Sequence, residues 1–152
     1  MMGQYAKDTQ VSIDKSRLEI ERTLSRYGAS SFMYGTTAER AVIAFEAHGR
    51  RVKFELPMPD RDEFRYTETG RVRHDATIDS AWEQGKQQHW RALALAIKAK
   101  LEAVDTGIVE FEDEFLAHIM LPNGQTMGQL ARPQIRVAYE KGDVPPLLGY
   151  DG

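Results

Sequence analysis

The side chains best suited to acid–base or metal chemistry are four histidines, His48, His74, His89 and His118. None belongs to an HxH or HExxH pattern, the spacings that put two imidazoles on one metal. Glu114 and His118 stand four residues apart and would share one face of a helix. That pair is the only seed of a metal-dependent hydrolase site, and the same spacing is also an ordinary i,i+4 surface pair. No third or fourth ligand converges on it, so neither a metal nor another cofactor is expected. The chain has no GxSxG, no phosphate-binding GxxxxGK and no dinucleotide glycine pattern. No catalytic residue is assigned, and a non-enzymatic protein is the expectation.

Cations offer a second chemistry, recognition of a phosphate backbone. Arg51 and Lys53 fall on what reads as the solvent face of a β-hairpin, with Arg50 beside its turn. Arg61, Arg65, Arg71 and Arg73 follow in a loop that also holds Phe64 and Tyr66. Lys86, Arg91, Lys98 and Lys100 lie off the apolar stripe of a long helix. A groove between hairpin and helix would bind single-stranded nucleic acid through Arg50, Arg51, Lys53, Arg65, Arg71, Arg73, Lys86, Arg91, Lys98 and Lys100. Tyr66, Tyr34 or Phe64 would be available to stack on bases. Asp60, Asp62, Glu63 and Glu68 interleave with the loop arginines, so a solvated charged face is the plainer account of the same residues. A third chemistry is protein partnership. The acids Glu110, Glu112, Asp113 and Glu114 precede Phe115, Leu116 and Ile119, which suits a partner-binding or self-associating surface, or a core helix with a charged first turn.

These residues depend on a few elements for their placement. The longest is a helix over Ser80–Asp105, in which Trp90, Leu93, Ile97, Leu101 and Val104 recur every three or four residues. Ser80 and Glu83 have capping-box spacing at its start, and Gly107 suits its left-handed stop. A first helix is expected over Asp14–Tyr27, capped at Ser16 and Glu19 with Ser12 and Asp14 as rivals. Ser31–Tyr34 reads as a strand, and Ala41–Ala47 and Arg50–Leu56 as a hairpin about His48-Gly49. Pairing Ala47 with Arg50 sets Phe45 opposite Val52 and Ile43 opposite Phe54 on one face. Glu46–Arg51 and Ala44–Lys53 then meet on the other. Phe111, Phe115 and Ile119 mark a short helix. Thr126 and Gln129 cap a last one that Pro133 must kink or restart, and residues 144–148 should lie extended over the core.

Residues 1–11 read as a flexible arm and residues 12–149 as one α+β domain. Its architecture is a small antiparallel three-stranded sheet in α-β-β-β-α order, packed on the long helix, with a helical C-terminal third. The chain has 152 residues, 41% hydrophobic and 28% charged, with a net charge of −3 that argues against a wholly polyanion-binding surface. The C-terminal third, from residue 105, carries three basic and eight acidic groups, so nucleic acid is expected at the middle third alone. The absence of cysteine excludes disulfide and thiolate chemistry and fits a reducing cytoplasm. No apolar run reaches membrane-spanning length, and the polar start is unlike a signal peptide.

The segments YGASSFMYG, AVIAFEAHGRRVKFELPMP, WRALALAIKAKLEAVDTGIVEFEDEFLAHIMLPNGQT and PPLL occur in that order. Together they resemble a family of small proteins encoded by phages and other bacterial mobile elements, over nearly all of Ser12 to Leu148. The resemblance supplies no catalytic residues. It implies a cytoplasmic protein that works on nucleic acid or against a host system. The order of three antiparallel strands and one long helix is similar to the core of ring-forming single-strand annealing proteins. In those, single-stranded DNA lies between hairpin and helix. Double-stranded-RNA-binding domains share the α-β-β-β-α order but fit the loop and the C-terminal third poorly. The expectation is a single-strand-binding protein, with a homo-oligomer as its candidate assembly and a protein-binding inhibitor of a host system as the alternative.

Overall fold

The computed structural model describes residues 3–148. Residues 1–2 of the expected arm and residue 149 at the expected domain end lie outside them. Helix α1 spans Gln4–Arg26, followed by strands β1 (Ser31–Thr36), β2 (Arg40–Ala47) and β3 (Arg50–Pro57). Helix α2 spans Asp75–Asp105, α3 is the single turn Phe111–Glu114, and α4 spans Met127–Lys141. The fold is α+β: one antiparallel sheet in the order β1-β2-β3, with helices.

The hairpin has the register that its side-chain alternation requires. Ala47 pairs with Arg50, Phe45 with Val52, Ile43 with Phe54, Glu46 with Arg51 and Ala44 with Lys53. His48 (φ 52°) and Gly49 (φ 72°) are both left-handed, which matches a two-residue turn to the twist of the strands. Ala41, Ile43, Phe45, Val52 and Phe54 are therefore buried on one face, against Ile20 and Leu24 of α1 and Trp90, Leu93, Ile97 and Leu101 of α2. Phe115 closes the end of this core with its ring edge-on to Phe45 (5.9 Å) and Phe54 (6.2 Å). The segment 110–119 thus joins the core through Phe111, Phe115 and Ile119, although Leu116 stays exposed.

Helix starts depart from expectation. The first helix begins at Gln4, so residues 4–11 are helical where a loose arm was expected. Thr9 is buried and accepts a hydrogen bond from Gln87 of α2 at 3.1 Å. Ser16 and Glu19 lie inside that helix and cap nothing. The long helix starts at Asp75, five residues before Ser80, because nothing in residues 75–79 stops it. Asp75 suits the positive helix end, and Arg61 ties that turn down through Asp79 at 2.6 Å. Glu83 is then a mid-helix carboxylate, buried and paired with Lys86 at 2.9 Å.

The loop before α2 is compact. Arg61–Phe64 forms a 3-10 turn, Arg73 donates to the carbonyls of Phe64 and Tyr66, and Trp82 Nε1 donates to the Pro59 carbonyl at 2.7 Å. Gly85 lets the Phe64 ring sit against the helix, where a Cβ would fall 2.5 Å from it. At the C-terminal end the Thr126–Gln129 capping box is complete, and α4 continues through Pro133 to Gly142 (φ 74°). Residues 144–148 do not lie over the core: Val144 is 93% and Leu148 57% exposed, since helices and sheet already fill that space. Among the described residues no helix is long and apolar enough to cross a membrane.

Phe45→Ala and Phe54→Ala should each destabilise the fold by about 3–5 kcal/mol in denaturant titration. Lys53→Ala should change stability by less than about 1 kcal/mol. Thr126→Ala should cost about 1 kcal/mol through the lost cap, while Ser80→Ala should be silent. A Ser80 effect equal to that of Thr126 would move the start of α2 back to Ser80.

Candidate functional site

The same alternation decides where the cations go. Arg51 and Lys53 leave the sheet on the face opposite Val52 and Phe54, whereas α2 packs on the Val52–Phe54 face. Hairpin and helix share one buried apolar core that includes Phe45, Phe54, Leu93 and Ile97, so the space between them is core and the expected groove does not form. Arg51 and Lys53 are separated from Arg91 and Lys98 by the thickness of the sheet and the helical layer.

Most of the expected site residues are committed elsewhere. Arg50 pairs with Glu112 (3.1 Å), Arg51 with Glu46 (3.1 Å), and Lys53 with Glu55 (3.2 Å). Arg65 pairs with Asp62 (2.9 Å) and Lys100 with Glu114 (3.3 Å). Lys86 pairs with Glu83 and lies over the Trp82 ring, 4.0 Å from its centroid. Arg73 holds the loop together, and Tyr66 is an exposed ring within that loop. Among the described residues, Arg71, Arg91 and Lys98 make no ion pair. Arg91 lines a polar groove between α1 and α2 together with Lys15 and Glu19. Tyr34, one of the stacking candidates, packs inward against Trp90 at 5.5 Å, under the Arg17 guanidinium.

The surface that the fold does assemble is the other face of the sheet. Met33 of β1 and Val42 and Ala44 of β2 border a shallow depression of about 240 Å³, with Met120 and the stem of Lys53 on its far side. Met33 is 70% exposed. Met120 reaches this position because its N–H donates to the Arg51 carbonyl at 2.8 Å and Ile119 bridges to Val52, at the start of the free edge of β3. The charged rim is paired, Glu46 with Arg51 and Glu55 with both Lys53 and Arg40. This combination of an apolar floor, two methionines and paired charge had no signal in the sequence beyond the outward positions of the strands.

At one corner of this face His118 sits on a 3-10 turn with its ring stacked on Phe54 at 4.1 Å. The helix expected to carry both Glu114 and His118 ends at Glu114, whose carboxylate goes to Lys100, so the two do not share a face. Among the described residues no three His, Asp or Glu side chains gather as a metal site. Burial, chiefly, and the charges of Lys100 and Arg132 hold the His118 pKa below its ordinary value, opposed by a hydrogen bond to the Lys53 carbonyl.

Compared with protein-family models, curated proteins and solved structures, the chain matches none. The functional reading therefore rests on its own geometry.

A histidine whose pKa is lowered on folding binds its proton more readily in the unfolded chain. Its stabilising contribution is present above the unfolded value of about 6.5 and is lost as pH falls through the lower folded value. The melting temperature should therefore drop as pH falls below about 6.5, and His118→Gln should flatten that drop. Parallel pH profiles for the two proteins would mean that His118 titrates alike folded and unfolded.

Proposed function

We propose that the protein is a non-catalytic binding module whose uncovered sheet face receives a partner protein, in the manner of a modulator of a host system. The observation that carries this reading is the apolar floor Met33–Val42–Ala44–Met120 within a rim of ion pairs. Contiguous exposed apolar surface with a polar rim is the usual signature of a protein interface. Methionine adapts its shape to the surface it meets. A nucleic-acid strand on this face would have to break Glu46–Arg51 and Lys53–Glu55, and the outward strand positions offer no aromatic ring for a base.

A second reading keeps single-stranded nucleic acid but moves it to the helical side. Arg91 and Lys98 stand seven residues apart on the solvent face of α2, both exposed and without an ion pair among the described residues, and Lys15 lines the adjoining groove.

Affinity capture from bacterial cells separates the two readings. Met33→Asp should abolish retention of a stoichiometric protein partner, while the double variant Arg91→Ala, Lys98→Ala and nuclease treatment should leave it intact. If instead the wild type shifts a single-stranded oligonucleotide at low salt, and the double variant flattens the log–log salt slope by about 1.4, the helical side is the site. That outcome would displace the protein-partner reading. A dimer on size exclusion that Met33→Asp converts to a monomer would make a second copy of the chain the partner.

A further inference from the structure

Between the outward side of β3 and the start of α4 lies a polar pocket of about 190 Å³. Lys53 borders both this pocket and the apolar depression, so the two form one continuous surface. Of its lining groups, most are already engaged. Thr126 and Gln129 satisfy one another in the capping box. Glu55 is held between Arg40 and Lys53. The His118 ring is held in place by stacking on Phe54. Arg132 differs: its guanidinium lies over the first turn of α4, with Nη1 3.3 Å from where a Cβ on Gly128 would stand. Among the described residues it has no ion-pair partner.

We infer that this pocket is a carboxylate site, which takes an acidic side chain of the partner protein while the partner's apolar groups cover Met33 and Met120. The inference deepens the proposed docking role of the sheet face and rests on it. Charge and setting together set the ligand class. Among the lining groups Lys53 and Arg132 outnumber Glu55, which Arg40 also engages, so the pocket draws an anion, and its place on a protein-docking face makes that anion a side-chain carboxylate. Lys100 is near but is tied to Glu114. Geometry agrees, because a guanidinium presents two parallel N–H donors at carboxylate spacing. The positive end of α4, fifteen residues long, adds to the same potential.

The test uses the protein alone, with the His118 ring proton followed by NMR while sodium acetate is added at constant ionic strength against sodium chloride. Acetate should shift the resonance saturably in the millimolar range and raise the His118 pKa, since a bound anion favours the protonated ring. Arg132→Gln, a substitution on an exposed helix position, should weaken the saturation at least tenfold. A shift that is linear and equal in chloride, or one unchanged by Arg132→Gln, would overturn the site. Saturation by phosphate at a tenfold lower concentration than acetate would overturn the carboxylate assignment. Because Met33→Asp reads the docking face without the pocket, a failed acetate titration beside a lost partner would remove the pocket and keep the face. The reverse pattern would leave a carboxylate site with no docking surface around it, contrary to the inference as stated.

Discussion

Everything in this fold depends on which way the side chains of one hairpin point. The left-handed pair His48-Gly49 sets Ala47 opposite Arg50, and from that pairing each residue of β2 and β3 is assigned to a face. Ile43, Phe45, Val52 and Phe54 must be covered, and α1, α2 and Phe115 cover them. Arg51 and Lys53 are consequently turned away from the long helix. A one-residue slip of β3 would bury Arg51 and Lys53 and expose Val52 and Phe54, so the arrangement has no close competitor. The face that results on the outside carries whatever recognition the sheet performs.

Much of the charge is handled locally. Cations project beside acids within one turn or across one strand pair, as in Arg51–Glu46 and Arg65–Asp62. Such pairs contribute little to stability at the surface, but they cancel the field that would draw a polyanion. The sheet face is therefore electrically quiet, with an apolar centre where Met33 and Met120 stand. Arg132 stands at one corner without an ion pair among the described residues, next to a histidine whose pKa its surroundings lower. A surface of that kind selects by shape and by a single charged contact.

The hairpin was legible to the residue because alternation and a two-residue turn are strictly local signals. So were the stops at Gly107 and Gly142 and the capping box at Thr126. Ser80 and Glu83 carried the same spacing as Thr126 and Gln129, yet no helix starts there. A capping motif operates only where the preceding turn is not already helical, and residues 75–79 are. The N-terminal residues looked aperiodic because their helix buries polar groups, Thr9 and Ser16, against α2 rather than an apolar stripe. The site was the least legible part. Clustering cations by sequence position took no account of the sheet between them, and the depression combines outward residues of three strands with Met120, far downstream of Val42 and Ala44, which no periodicity links.

The central claim is that one face of the sheet is sealed beneath helices and the other is open. The natural chain has no cysteine, so single cysteines report on this without background. Thiol-labelling rates for Met33→Cys and Arg51→Cys should approach those of an unfolded peptide, while Ile43→Cys should label only through global unfolding. Protection of Arg51→Cys together with rapid labelling of Ile43→Cys would contradict the register, and with it the docking face built upon it.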